Sequence, residues 1–203
     1  MIKYVLPALA AGILAGYLNN NFGTPLLNTV FSEYTFNLSL IALLFLMGML
    51  FMLDEKAVAK MRENKFRILV FPISVALGSI IGGLFGGLIL RIDLFASMGV
   101  CAGYGWYTLA GPLAGQLFGL EWGALGFAVN LLRELVTVVG ASLFIKLDKY
   151  APIAMGGATT MDTTLPIIVR YCGQDTLIIA FSSGFILTMA APFTITAIAA
   201  LAR

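Results

Sequence analysis

Long stretches of apolar side chains constrain this sequence more than any other feature. Residues 68–90 contain no charged side chain, and a helix of about 20 mainly apolar residues is long enough to cross a bilayer. Of the 203 residues, 60% are apolar and 11% are charged, whereas soluble domains average about 45–50% and about 25%. One soluble domain of this length cannot bury so much apolar surface. The sequence therefore predicts an integral membrane protein.

Charge and cysteine content exclude several other classes of protein. Twelve basic and ten acidic side chains give a net charge of +2, which is too little for a nucleic-acid-binding surface. The apolar content excludes a disordered chain, and two cysteines are too few for a disulfide scaffold. The sequence has no histidine, and Cys101 and Cys172 form no CxxC pair. We therefore predict no metal site and no cofactor.

The apolar runs predict an all-α membrane protein with a single transmembrane domain over residues 1–203. The first run is short enough to resemble a signal peptide, but no convincing cleavage site follows it, so a retained span is favoured. About five full spans are expected, at residues 4–18, 36–53, 68–90, 123–144 and 176–201.

Two further segments, residues 94–118 and 151–171, are apolar but interrupted by glycine, proline and threonine. Such interruptions free backbone groups that lipid cannot hydrogen-bond, so both segments must be wrapped in protein or line a wet cavity. Transporters use broken helices of this kind at the depth of the substrate. We expect the same here.

Basic residues predict the orientation. Five of the twelve lie in residues 54–67 and none lies in residues 19–35, so the former loop is predicted to be cytoplasmic and the latter external. If residues 94–118 span fully, Lys146 and Lys149 lie outside, which contradicts the tendency of basic residues to lie on the cytoplasmic side. If they form a re-entrant hairpin from outside, both lysines are cytoplasmic and residues 151–171 form a second hairpin from the cytoplasmic side. We favour this version, which resembles an inverted repeat.

A row of glycines marks the third span. Gly78, Gly82 and Gly86 recur every four residues, which places them on one helix face and lets another helix approach closely. We predict that this row is a packing surface, within or between subunits.

Glu134 is the strongest single candidate for a functional residue. It lies near the middle of a predicted span, where a bare charge costs from about 2.5 kcal/mol upward. Asn130 and Thr137 lie on the same helix face, while Arg133 points about 100° away, to an adjacent face. The alternatives are a cation or proton site and a structural acid that is neutral or paired with arginine.

Asp162 lies within the second broken segment, in the sequence GGATTMDTTLP (residues 156–166). Hydroxyls of Thr159, Thr160 and Thr163, together with freed carbonyls, suit an ammonium group better than a bulky apolar ligand. The alternative role for Asp162 is that of a turn cap, which aspartate often fills.

The first broken segment contains GYGWYTLAGP (residues 103–112). Tyr104, Trp106 and Tyr107 are suited to packing against an alkyl chain and to cation–π contact with its charged end. Aromatic residues near a membrane interface are also commonly anchors. Because these three stand among glycines in a broken segment, we favour a lining role.

These blocks carry a family resemblance. GYGWYTLAGP, NLLRELV (residues 130–136), GGATTMDTTLPIIVR (residues 156–170) and SGFIL (residues 183–187), in this order and spacing, resemble the lysine exporter family of the LysO type over nearly the whole chain. The resemblance implies export of L-lysine and of a toxic thioether analogue across the cytoplasmic membrane. The family's intramembrane acids correspond to Glu134 and Asp162. Longer members begin with about three additional helices, so this chain resembles their carboxyl two-thirds.

The expected activity is secondary antiport of lysine against protons. Moving one positive charge outward costs about 2.3 kcal/mol per 100 mV of inside-negative potential, and the sequence contains no nucleotide-binding motif to drive this step. Alternatives are a passive channel or carrier for another small cation, an intramembrane hydrolase with two acids, and a non-transporting subunit. The expected partners are lysine, protons, the lipid bilayer and either a second copy of the chain or a small membrane subunit.

The predicted orientation can be tested by cysteine labelling in a variant without Cys101 and Cys172. A cysteine at Asn20 should react with an impermeant reagent in intact cells, because residues 19–35 carry no basic side chain. A cysteine at Asn64 should react only after the cells are permeabilised. Reversed labelling would overturn the orientation and the two-hairpin arrangement that depends on it.

Overall fold

The structure is a computed structural model, and it describes residues 2–22, 34–53 and 65–202. The described residues are mostly helical and include no β-strand, which confirms the predicted all-α class. The chain divides into two compact units, Met1–Asp54 and Glu55–Arg203, and each is described here by itself.

The first unit contains two apolar helices, α1 (Ile2–Phe22) and α2 (Phe36–Leu53). They have 21 and 18 residues, and they coincide with the first two predicted spans. Large apolar side chains on both helices are exposed, among them Ile13 and Leu38. Exposure of this kind suits a surface that lipid covers.

The second unit contains three long helices and several short ones. The long helices are α3 (Lys65–Leu90), α6 (Leu120–Phe144) and α9 (Leu177–Leu201). Between them lie α4 (Leu94–Cys101), α5 (Tyr107–Phe118), α7 (Ala151–Gly156) and α8 (Leu165–Cys172), and two 3-10 turns at Gly157–Met161 and Gln174–Thr176.

Three helices in the described part of the chain are long and apolar enough to cross a membrane. They are Leu69–Leu90, Leu120–Phe144 and Gln174–Leu201. These ranges match the third, fourth and fifth predicted spans within a few residues.

Each predicted broken segment consists of two short α-helices joined by a stretch that is not α-helical. The chain leaves helical geometry around Tyr104 and Gly105 in the first segment and at Gly157 in the second, and all three residues have positive φ angles (52°, 101° and 61°). Glycine adopts such angles without a steric penalty. Proline does not cause the first break, because Pro112, one of the predicted interruptions, lies inside α5. In the second segment, a proline lies in the first turn of α7 and another in the first turn of α8.

Glycine rows allow the helices to pack closely. A Cβ on Gly83 would lie 2.7 Å from the carbonyl oxygen of Ser97, so α3 and α4 touch through their backbones. A Cβ on Gly123 would lie 3.1 Å from Cα of Gly115, so α5 and α6 are equally close.

The row predicted as a packing surface differs from these packed glycines. A Cβ at Gly78, Gly82 or Gly86 would meet no described atom within 4 Å. This row therefore lies open on the second unit.

Side chains at one end of the unit form an apolar cluster that joins four helices. Ile153, Ile168, Cys172 and Ala180 are buried together, and Phe71 and Tyr150 are among the residues packed against them. The ring centroids of Phe71 and Tyr150 are 6.3 Å apart. The start of α3 and the residues that follow α6 are therefore at the same end of the unit.

Candidate functional site

The middle of α6 holds the first broken segment through Asn130. This side chain is buried, its Oδ1 accepts the backbone N–H of Gly105 at 2.7 Å, and its Nδ2 donates to the carbonyl oxygens of Val100 (2.9 Å) and Gly126 (2.8 Å). An amide has both donors and acceptors, so one side chain can satisfy groups of both kinds. Asn130 thus satisfies backbone groups on both sides of the break after α4.

Arg133 performs a similar task for the second broken segment. Its Nε donates to the carbonyl oxygen of Met155 at 2.7 Å, and its Nη2 donates to that of Ala154 at 3.0 Å. Its Nη1 donates to Oγ of Ser79 on α3 at 2.8 Å. Hydrogen bonds from a charged donor are about twice as strong as neutral ones. Arg133 therefore ties together α3, α6 and the end of α7.

The two broken segments also meet each other directly. The backbone N–H of Ala158 donates to the carbonyl oxygen of Tyr104 at 2.8 Å. A Cβ at Gly157 would collide with that same oxygen, and one at Gly105 would lie 3.1 Å from the carbonyl oxygen of Gly156. Glycine at 105 and 157 is therefore needed for this approach.

Two of the three threonines predicted near Asp162 are hydrogen-bonded at the second break. Thr159 Oγ1 donates to the carbonyl oxygen of Gly156 at 2.9 Å and lies 3.2 Å from Thr164 Oγ1. Thr160 Oγ1 lies within 2.8 Å of the carbonyl oxygens of Gly157 and of Ala180, which belongs to α9. The hydroxyls thus partner carbonyls of the interrupted helix, and Thr160 also links the break to α9.

Glu134 lies on the same face of α6 as Asn130 and Thr137, both of which are buried. Its side chain is partly buried, and its Oε2 atom is fully buried with no hydrogen-bond partner among the described residues. An unpartnered buried carboxylate oxygen is costly. Among the side chains of α6, Glu134 is the one with a buried polar atom that lacks a hydrogen-bond partner.

Asp162 and Thr163 are exposed on the second unit. Oδ1 of Asp162 accepts the backbone N–H of the next residue, Thr163, at 2.6 Å. A turn cap of the Asx type would instead accept the N–H two residues on, and the helix that follows is preceded by Thr164 without a side-chain cap. Neither of the two predicted roles of Asp162 is therefore decided by this contact.

The predicted aromatic residues do not share one environment. Tyr104 is fully buried, and its hydroxyl lies near Thr194 without a hydrogen bond of good geometry. Tyr107 packs edge-on against Phe127 at 5.3 Å. Trp106 is half-buried at the start of α5.

Sequence reasoning missed the contributions of Ser79 and Asp93. Ser79 accepts from Arg133, and it is one of only two hydroxyl residues in the charge-free run of residues 68–90, which was the available signal. Asp93 caps α4 by accepting the backbone N–H of Ala96 at 2.7 Å. Within the described ranges, no three Cys, Asp or Glu side chains converge in a metal-binding group.

Comparisons with known proteins identify the family of the chain. The family model of lysine exporter LysO matches residues 6–199. The chain is 34% identical over 164 residues to the lysine exporter LysO of Escherichia coli strain K12, which covers 81% of this chain and 53% of that protein. It is 28% identical over 153 residues to a putative lysine exporter of Haemophilus influenzae, covering 75% of this chain and 78% of that protein.

The matched part of the chain spans about half the length of the E. coli relative. No solved structure matches the chain. Because the family model covers nearly all of the sequence, the chain belongs to the lysine exporter LysO family.

Proposed function

We propose that this chain exports L-lysine and close cationic analogues across the cytoplasmic membrane, as a secondary transporter that exchanges them for protons. The names of its relatives support lysine as the substrate. The observation that carries the proposal is the buried, unpartnered Oε2 atom of Glu134 beside the junction of two broken helices. A carboxylate in such surroundings is suited to bind either a proton or an ammonium group.

The first broken segment is proposed to be a re-entrant hairpin, made of α4 and α5. α4 starts beside the end of α3, where a Cβ on Gly87 would lie 3.1 Å from Leu94. The end of α5 returns to α4, because a Cβ on Gly99 would lie 2.6 Å from the ring of Phe118. These contacts support a hairpin whose two ends share one face of the membrane.

The second broken segment, from α7 to α8, is proposed to enter from the opposite face. Lys149 precedes α7 and Asp175 follows α8, and their side chains form an exposed ion pair. This hydrogen bond raises the pKa of Lys149. Phe71 at the start of α3 contacts Tyr150. Both ends of this hairpin therefore lie near the start of α3, whereas those of the first hairpin lie near its end.

This arrangement supports the predicted inverted repeat and the cytoplasmic location of Lys146 and Lys149. The hairpin tips meet at the hydrogen bond between Ala158 and Tyr104, next to the middle of α6. Substrate sites in transporters with inverted repeats lie at such midplane junctions.

The proposed mechanism binds the lysine ammonium near Glu134 and Asp162, with Asn130, Arg133, the threonines and the aromatic residues around the site. Exporting one positive charge costs about 2.3 kcal/mol per 100 mV of inside-negative potential. Exchange for one incoming proton makes the step electroneutral, so the membrane potential no longer opposes it. One carboxylate can serve both steps, because a bound proton and a bound ammonium exclude each other.

Lysine efflux from reconstituted vesicles, measured with and without a pH gradient, tests this proposal directly. Efflux should accelerate as the external pH falls, because incoming protons then drive export. Flux that runs only downhill and ignores the pH gradient would favour a passive channel. No flux at all would favour a non-transporting subunit.

Neutral substitution of the two acids should abolish export while leaving the protein in the membrane. Glu134→Gln and Asp162→Asn keep the shape of each side chain and remove its titratable charge. The matched controls are Glu121→Gln, in the exposed first turn of α6, and Asp148→Asn. Asp148 is an exposed aspartate whose carboxylate also accepts a nearby backbone N–H, that of Tyr150 at 2.7 Å. Efflux is normalised to the amount of protein in the membrane.

Near-normal efflux from Glu134→Gln or Asp162→Asn would remove that residue from the mechanism. Loss of efflux in the control variants as well would show that any change of acid impairs the protein. Glu134→Gln should accumulate at least as well as the parent, because a neutral side chain is cheaper to bury.

We also propose that the open glycine row on α3 packs against a second copy of the chain or a small membrane subunit. Gly78, Gly82 and Gly86 have open space where a side chain would stand, and rows of small residues favour helix association in membranes. Purified protein should have the mass of a homodimer or carry a small membrane protein with it. A monodisperse monomer that transports lysine unaided would contradict this.

A further inference from the structure

A groove of about 670 Å³ lies between α3 and α6, and Arg133 and Ser79 are among the residues that line it. A second cavity of about 320 Å³ shares Phe71 and Ser74 with the groove and is also lined by Tyr150. Because the two spaces share these residues, they lie next to each other, the smaller one beside Tyr150 and the larger one beside Arg133.

Arg133 lies far along α6 from the end of the unit near Tyr150. It is eleven residues before Phe144, the last residue of α6, which corresponds to about 16 Å of helix. Half the thickness of the hydrocarbon core is about 15 Å. The guanidinium therefore lies near the middle of the bilayer, well away from the depth of lipid phosphate groups.

The guanidinium of Arg133 has N–H groups that are not used in hydrogen bonds to the described residues. Its three hydrogen bonds, to Met155, Ala154 and Ser79, use three of the five N–H groups that an arginine carries. The described residues place no carboxylate within 4.0 Å of it. A positive charge in the membrane interior with only neutral partners is costly. An anion that enters the groove is therefore strongly attracted to the guanidinium.

We propose that Arg133 and Ser79 bind the α-carboxylate of the transported amino acid. This inference rests on the proposed function and adds the part of the substrate that the acids cannot recognise. Glu134 and Asp162 attract ammonium groups, whereas a guanidinium fork matches the planar carboxylate with two parallel hydrogen bonds. The groove is wide enough for a free amino acid, and its charge complements the carboxylate. Of the open glycine row, only Gly78 lines the groove, so the rest of that row stays free for a partner helix.

The site gives the transporter a means to tell an amino acid from a plain diamine. A molecule without a carboxylate leaves Arg133 unpaired, so it loses the charge-assisted hydrogen bonds. Loss of even one such bond corresponds to a difference of about 10- to 100-fold in affinity.

Competition in the unaltered protein gives the first test. Proteoliposomes carry out exchange of labelled lysine, with unlabelled lysine or lysinamide as competitor; lysinamide keeps both amino groups and replaces the carboxylate with a neutral amide. Half-inhibition by lysinamide should require a concentration about 10- to 100-fold higher than that of lysine. Equal inhibition by the two compounds would overturn the proposal and favour an acid of a second copy as the partner of Arg133.

Three variants give the second test. Arg133→Gln should lose the preference for lysine over lysinamide, and Arg133→Lys should keep part of it, because lysine retains the charge but not the fork. Ser79→Ala should weaken the preference without removing the charge, and it remains informative if Arg133→Gln fails to fold. Arg170→Gln, an exposed arginine of α8, is the control and should leave the preference unchanged.

The outcomes separate this proposal from the proposed function. Lysine exchange that persists in Ser79→Ala and Arg133→Lys with an unchanged preference over lysinamide would overturn the carboxylate site and leave lysine export intact. Absence of lysine exchange in the parent protein would remove the proposed function and, with it, this ligand.

Discussion

The hydrogen bonding of backbone groups at two helix breaks is the constraint on which the rest of the structure depends. Lipid offers no partners to these groups, so each break must be satisfied by protein. Asn130 satisfies the first break with hydrogen bonds to Gly105 and Val100. Arg133 satisfies the end of α7 before the second break. Both side chains come from the middle of α6, and this common origin brings the two breaks together.

Polarity in the middle of α6 therefore serves two purposes. Asn130 and Arg133 hydrogen-bond backbone groups of the broken segments. Glu134, on the same stretch of helix, has a buried oxygen without a hydrogen-bond partner. The hydrogen bonds of Asn130 and Arg133 go to other residues and not to the glutamate. In the proposed mechanism this is useful, because a carboxylate that exchanges a proton for an ammonium must be free of a permanent partner.

Much of this architecture was predictable, because an apolar run long enough to cross a bilayer must form a helix there. The charge-free run of residues 68–90 and the glycine-rich breaks follow from lipid solvation and backbone sterics. The positions of particular side chains were less predictable. Pro112 was expected to interrupt a helix and instead lies within α5, because surrounding helices can compensate for a missing hydrogen bond. The role of Arg133 depends on the carbonyls of Ala154 and Met155, which are 21 and 22 residues away in sequence, so no local pattern reveals it.

The central claim is that two hairpins enter from opposite faces and meet beside α6. Cysteines at Ile92 and Leu120 would mark the ends of the first hairpin, and cysteines at Leu147 and Gln174 the ends of the second, in a variant without Cys101 and Cys172. All four positions are exposed. An impermeant maleimide should label positions 92 and 120 in intact cells and positions 147 and 174 only after permeabilisation. Labelling of positions 92 and 120 from opposite sides would contradict the account, because the first segment would then span the membrane.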